Sequence, residues 1–451
     1  MAGTLIVSNL TTDTDNTFIV RSNTGTTLFS ANTSGIDIAN SIGATAITND
    51  KILSVANTKI TGNIISSQIT SVANTQISGN IISSQITSIG GSQITANTIA
   101  NSAIQTGAVE NYMRGANLDF GMRNRIINGA MVIDQRNGGA SVTLNSNQLY
   151  LIDRWYGTED TDGGMTAQQV STAPVGFTNS VKLTTTTADA TLAAGQFCRF
   201  VQAIEGYNMS DFGWGTASAQ TVTLSFWVRS SLTGTFGGAF RNSAGNRSYP
   251  FTYSISVADT WEQKSVTVAG DTTGTWLTTN GIGVNVQFGL GVGSTYSGTA
   301  GAWAASYYLS ATGAVSVIGT LNATWYITGV QLEKGSTATS FDYRHQTNEI
   351  ALCQRYFQKL PIIYGGAISA TVLGVGYVCP VDMRANATTT LLTSTPYAEW
   401  PDNVGYTASS ASVNGNTYHH GAEFRVSGWS GLTTGRPMWL SHDQISLTAE
   451  L

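Results

Sequence analysis

From Ile282 to Val292 the chain alternates with period two: Ile282, Val284, Val286, Phe288, Leu290 and Val292 take one side, and Gly283, Asn285, Gln287, Gly289 and Gly291 the other. Such a division is a strand pattern, because successive side chains of a strand point to opposite faces. One face is apolar and belongs in a core, while the other carries little bulk beyond two amides. Val222, Leu224, Phe226 and Val228 repeat the pattern, with Thr223, Ser225, Trp227 and Arg229 opposite. Many short strands, Gly-rich turns and no helical period over residues 125–344 predict an antiparallel β-sandwich.

A longer period governs residues 54–87. SVANTKITGNIISSQIT (54–70) recurs as SVANTQISGNIISSQIT (71–87), with changes only at Lys59/Gln76 and Thr61/Ser78, and a worn third copy keeps register at Ile94, Asn97 and Ile99. Ile60, Ile69, Ile77, Ile86 and Ile94 follow at spacings of 9, 8, 9 and 8. Each marks a short strand between Ala-Asn-Thr or Gly-Asn turns, and no heptad is present. Repeats that cannot bury an apolar face alone must stack on neighbours. So few isoleucines cannot make a core for one thin chain. Residues 45–104 are therefore expected to form the shaft of a homotrimer, with Ile60, Ile65, Ile69, Ile77, Ile82, Ile86, Ile94 and Ile99 pooled at its axis and strand edges paired between chains. A single-chain β-solenoid of barely three uncapped rungs is the alternative.

Residues 1–44 carry hairpin signals, with Asn23-Thr24-Gly25 and Asn32-Thr33-Ser34-Gly35 around short apolar runs, and read as an attachment module. Residues 105–124 form a linker. One helix is expected over 348–360, NEIALCQRYFQKL, with Ile350, Cys353, Phe357 and Leu360 on one stripe and Pro361 as its stop, inside a connector spanning 345–361. Residues 362–451 return to strands and turns as a terminal β domain. The whole reads as an all-β fibre: N-terminal module, repetitive shaft, sandwich, connecting helix and C-terminal β tip.

Composition narrows the function. Charged residues are 10% of the chain, net charge is −5, and Gly, Ser, Thr and Asn make the surface polar. Nothing here is suited to nucleic acid or an anionic membrane surface. No apolar run approaches a membrane span, and MAGTLIVSNL lacks the features of a signal peptide. Three distant cysteines, Cys198, Cys353 and Cys379, predict unpaired core thiols. An outward-looking protein made in a cytosol fits a particle assembled inside a cell and released by lysis.

Several motifs resemble known families. Asn128-Gly129-Ala130-Met131, Gln202-Ala203-Ile204-Glu205-Gly206, Leu224-Ser225-Phe226-Trp227-Val228 and the run Tyr326 to Glu333 are similar to segments of the jelly-roll carbohydrate-binding modules of glycoside hydrolases. Thr328-Gly329 departs from the Asp-Asp usual there. Arg123 to Gly129, Asp153-Arg154-Trp155-Tyr156, Ala351 to Phe357, Gly431 to Gly435 and Ala449-Glu450-Leu451 resemble tail-fibre and receptor-binding proteins of tailed bacteriophages. The resemblance implies a jelly roll at 125–344, and a trimeric virion fibre with a sugar-binding outer half.

Chemistry is sparse. A glycosidase needs two carboxyl groups across a cleft, and the one dense acidic cluster is Glu159-Asp160-Thr161-Asp162-Gly163-Gly164. That run reads as a turn, with Asp160 and Asp162 as calcium candidates and no EF-hand pattern. No catalytic set or cofactor is expected. His419-His420, adjacent on a strand, would point to opposite faces. Sugar binding fits better, since aromatic faces with nearby amides suit a pyranose ring. Trp227, Asn285, Gln287, Trp400 and Trp429 are the candidate contacts. The expected function is a non-enzymatic phage tail fibre that docks on a virion tail or adaptor protein through residues 1–44 and binds a host surface polysaccharide. A tailspike-like depolymerase and a capsid-attached fibre are the alternatives.

Overall fold

The computed structural model describes Phe18–Arg21, Thr24, Thr27–Asn32, Gly35–Asp37 and residues 122–399 and 405–451. The chain divides into two compact units, Met1–Thr98 and Ile99–Leu451. The shaft isoleucines Ile60, Ile65, Ile69, Ile77, Ile82, Ile86, Ile94 and Ile99 lie outside the described residues, as does Trp400. In the first unit, Phe18–Arg21, Thr27–Asn32 and Gly35–Asp37 form a three-stranded antiparallel sheet, with Phe18 opposite Ala31 and Ser30 opposite Asp37. These are the strands that the Asn/Gly turn signals imply.

The second unit is mostly β. Its larger part is a sandwich of two six-stranded antiparallel sheets. The first runs Glu262–Val268, Val222–Ser230, Thr324–Lys334, Ser180–Thr187, Gly164–Val170, Val142–Thr143. The second runs Ser248–Ile255, Gly234–Arg241, Ile282–Val292, Phe197–Glu205, Trp155–Asp160, Leu149–Ile152. Val222, Leu224, Phe226 and Val228 of the first sheet and Val284, Val286, Phe288 and Leu290 of the second are fully buried in one core, as their alternation requires. Trp155 stacks on Phe200 with centroids 4.8 Å apart, and Trp325 donates its indole N–H to the Tyr253 hydroxyl at 3.1 Å.

The terminal part has its own core around Leu373, Phe424, Val426 and Leu440. Seven strands form one sheet, and Phe357–Lys359, Ile445–Thr448 and Thr388–Leu391 form a smaller one. The helix differs from expectation. It spans Gln346–Gln354, and Phe357–Lys359 is a strand paired with Ser446–Thr448. Ile350 and Cys353 keep their helical positions. Phe357 and Leu360 satisfy the same stripe by coincidence, because a strand partner some ninety residues away overrides a weak local preference. His345, which caps the helix through Nδ1, starts it.

Four of the five segments that resemble phage fibres meet at the junction of these parts, while Gly431 to Gly435 lies within the terminal part. Asn128 has φ of 57°, and its side chain donates to the Ile133 and Asp153 carbonyls, while its backbone N–H donates to Glu349 of the helix. Arg154, fully buried, pairs with Glu450 and lies 3.5 Å from the centroid of the Tyr356 ring. Arg136 donates to Glu450 at 2.5 Å. Glu205, 1% exposed, accepts from Arg355 at 2.9 and 2.6 Å and from the Tyr356 hydroxyl at 2.6 Å. Sequence-distant charges are thus neutralised in pairs where water is excluded, which is the condition for burying them at all.

Candidate functional site

Sheet membership separates the expected contacts. Trp227 stands on the outer face of the first sheet, and Asn285 and Gln287 on the outer face of the second, so the whole sandwich lies between them. Alternation correctly places all three away from the core, but it does not say which sheet a strand joins. They do not line one site.

Around Trp227 the chain gathers rings. Gly329, in the left-handed region at φ 61°, interrupts the ladder opposite Ser225 and Trp227, and the rings of Phe177 and Trp227 close over it. A Cβ there would lie 2.6 Å from Phe177 Cζ and 3.0 Å from Trp227 Cδ1. The Thr328-Gly329 departure noted in the sequence is what admits the rings. Phe177 contacts Phe341 edge to face at 5.1 Å and Tyr343 at 5.5 Å. These three line a cavity of about 200 Å³ with Ala130, Val132 and Arg344. Tyr343 is 59% exposed, and its hydroxyl donates to the Gly176 carbonyl at 2.6 Å. The cavity therefore offers aromatic faces, carbonyl edges and the carboxylates of Asp342 and Glu349, in reach of solvent, while the Arg344 guanidinium is engaged by Glu349 and the Asn124 and Ile126 carbonyls. Phe177, Phe341 and Tyr343 escaped sequence reasoning because they lie outside regular strands. The Phe341-Asp342-Tyr343 triplet just after the last sandwich strand was the available signal.

The outer face of the second sheet is polar and covered. Its ladder places Thr158 beside Arg199, Tyr156 beside Val201 and Gln287, and Ala203 beside Asn285 and Arg241. Arg199 donates to Gln287 Oε1 at 2.9 Å, and Gln287 donates to the Tyr308 carbonyl at 3.3 Å. Tyr307 lies over the Arg241 guanidinium, 4.5 Å from its ring centroid. Burial lowers the Arg241 pKa; Tyr307 opposes the shift and neighbouring Arg199 adds to it. The Tyr156 phenol is raised by burial, partly offset by the same two arginines. Leu451 packs on the Tyr156, Val201 and Ala203 end of this face.

The terminal candidates divide. Trp429 is 3% exposed and donates its indole N–H to the Val426 carbonyl at 2.9 Å, so it serves the core rather than a surface. A polar groove of about 630 Å³ runs between Ile368, Gly376, Asn414, Asn416 and Arg425. His419 and His420 are not on a strand. They form the turn between Ser412–Tyr418 and Gly421–Ser427, with rings 4.8 Å apart. The acidic run ends the strand Trp155–Asp160 and turns at residues 161–163 into the next: Glu159 Oε1 accepts from the Thr161 N–H at 2.8 Å, and Asp160 and Asp162 are exposed. Among the described residues, no three His, Cys, Asp or Glu side chains gather as a metal ion requires, and no helix is long and apolar enough to cross a membrane. Cys198, Cys353 and Cys379 are buried and free.

No family model matches the chain, and no curated protein matches it. Among solved structures, part of the chain is similar to the enzymatically active domain of bacteriophage CBA120 tailspike protein 4, at 13% identity and TM-score 0.26, over 47% of this chain and 22% of that one. The chain thus spans about a fifth of the length of that tailspike structure. It is also similar to a CBM4 structure, at 14% identity and TM-score 0.24, over 44% of this chain and 99% of that one. A third likeness is to the family 11 carbohydrate-binding module of a cellulosomal cellulase of Clostridium thermocellum, at 12% identity and TM-score 0.23, over 46% of this chain and 99% of that one.

Proposed function

We propose that the chain is a non-catalytic, glycan-binding fibre protein of a tailed-phage virion, which holds a host surface polysaccharide on its sandwich. The observation that carries the binding part is the cluster of Phe177, Phe341 and Tyr343 that lines an open cavity, with Trp227 beside Phe177 across Gly329. Exposed rings beside hydrogen-bonding groups are what a pyranose with one apolar face needs. The phage part is supported by the convergence of Asn128, Arg154, the Gln346–Gln354 helix and Glu450, which come from four segments that resemble phage fibres, into one junction. Three copies on a shaft would convert a weak site into tight retention through effective concentration. Residues 1–44 would dock on a virion tail or adaptor protein.

The test is retention of the purified protein on host cells and on a glycan array, with new reducing ends assayed over hours. Tyr343→Ala and Trp227→Ala should each weaken retention. Release of oligosaccharide that disappears on carboxylate substitution would favour a depolymerase instead.

A further inference from the structure

Two guanidinium groups on the outer face of the second sheet lack the partners that buried arginines usually have. Arg199 and Arg241 are each 8% exposed, and neither makes an ion pair with any described residue. Each has one terminal nitrogen engaged on a neutral acceptor, Arg199 on Gln287 and Arg241 on the Asn242 carbonyl at 3.3 Å. Directly beside Arg241 in the ladder, Asn285 is 1% exposed with neither Oδ1 nor Nδ2 hydrogen-bonded, and Thr158 Oγ1, beside Arg199, is also unpaired. The other buried arginine among the described residues, Arg154, is by contrast matched to Glu450. Leaving two like charges and an amide unpartnered on one face is costly unless something completes them.

We propose that this face is a second binding site, which takes a sugar acid, a uronate whose carboxylate is held between Arg199 and Arg241. Planar guanidinium forks match a carboxylate in two-point contact. Asn285 favours a sugar acid over a small anion: its Nδ2 donates and its Oδ1 needs a donor, and the ring hydroxyls beside a uronate's carboxylate supply both partners at a distance from the charge that a single small anion does not span. Tyr307, 38% exposed over Arg241, provides the ring face. The identification of the ligand as a sugar rests on the glycan-binding reading above, whereas the charge selectivity rests on the two arginines alone.

The experiment uses the full chain and a panel of oligosaccharides containing glucuronate, galacturonate or mannuronate, their carboxyl-reduced counterparts, and inorganic phosphate. At least one uronate should bind about tenfold or more tighter than its reduced form, as expected for charge-assisted contacts. Arg199→Gln and Arg241→Gln should abolish that preference while leaving binding of neutral sugars, which Tyr343→Ala weakens, unchanged. If either Gln variant fails to fold, Arg241→Lys, which keeps the charge and loses the fork, should still reduce the preference several-fold. Equal binding of every uronate and its reduced form would overturn the sugar-acid site and leave the glycan reading standing. So would phosphate competing as well as the uronate, or a preference that survives both Gln variants.

Discussion

Arg154 and Glu450, 296 residues apart, form an ion pair with side-chain exposures of 1% and 6%. The contact ties the sandwich to the residues that follow the last strand, Ile445–Thr448, of the terminal part. Removing one partner leaves the other charged where water cannot reach it. Glu450→Ala should therefore cost about 3–5 kcal/mol, seen as a lower denaturation midpoint in urea. A shift within the scatter of surface variants would mean that the pair is solvated in solution.

Asp153 gives a pH dependence with a definite sign. Burial pushes its carboxyl up to about 6, against the pull of Arg136 and the Gln135 hydrogen bonds. The native state thus holds this proton more tightly than the unfolded chain does. Its contribution to stability is fully present below the ordinary carboxylate range and is lost as pH rises through about 6. The difference in urea midpoint between the protein and Asp153→Asn should change between pH 4 and 6, with the variant gaining relative to the protein as pH rises. A constant difference across that range would refute the shift.

Gly329→Ala tests the ring cluster through the backbone. The new Cβ would meet both Phe177 and Trp227 at a residue with positive φ. A loss of about 1–3 kcal/mol is expected, with altered tryptophan fluorescence and weakened glycan retention. Unchanged retention alongside altered fluorescence would move the sugar away from this cluster.

Light scattering on the eluting protein should give three times the 47.5 kDa chain mass. Replacing Ile77, Ile82 and Ile86 together by Asp should abolish assembly, because carboxylates closed into a narrow axis lose their hydration without gaining a partner, while the sandwich still folds. A stable monomer on dilution would sink the trimeric shaft.

Much of the sandwich was legible because half-buried strands write their two faces into the sequence, as Ile282–Val292 does with its apolar and Gly/amide sides. What stayed hidden depends on pairing at a distance. Asn285 and Trp227 both face outward, yet only the strand order places them on opposite sides of the molecule. Phe357 reads as helical until Thr448 claims it. Trp429 looks like an exposed contact in a Gly/Ser-rich stretch, but the terminal core encloses it. Arg199 and Arg241 carried a faint signal, each a charge within an otherwise apolar or glycine-rich strand. Their lack of acidic partners is a property of the folded neighbourhood alone.

The separation of Arg154 from Glu450 also sets a clock. At translation speeds of about 5–20 residues per second, the glutamate emerges roughly 15–60 s after the arginine. During that interval the half-made sandwich has no counter-charge for a guanidinium destined for its interior. The nascent chain cannot close its junction around Arg154 early, and a product that stops short of Glu450 keeps that site open to proteases.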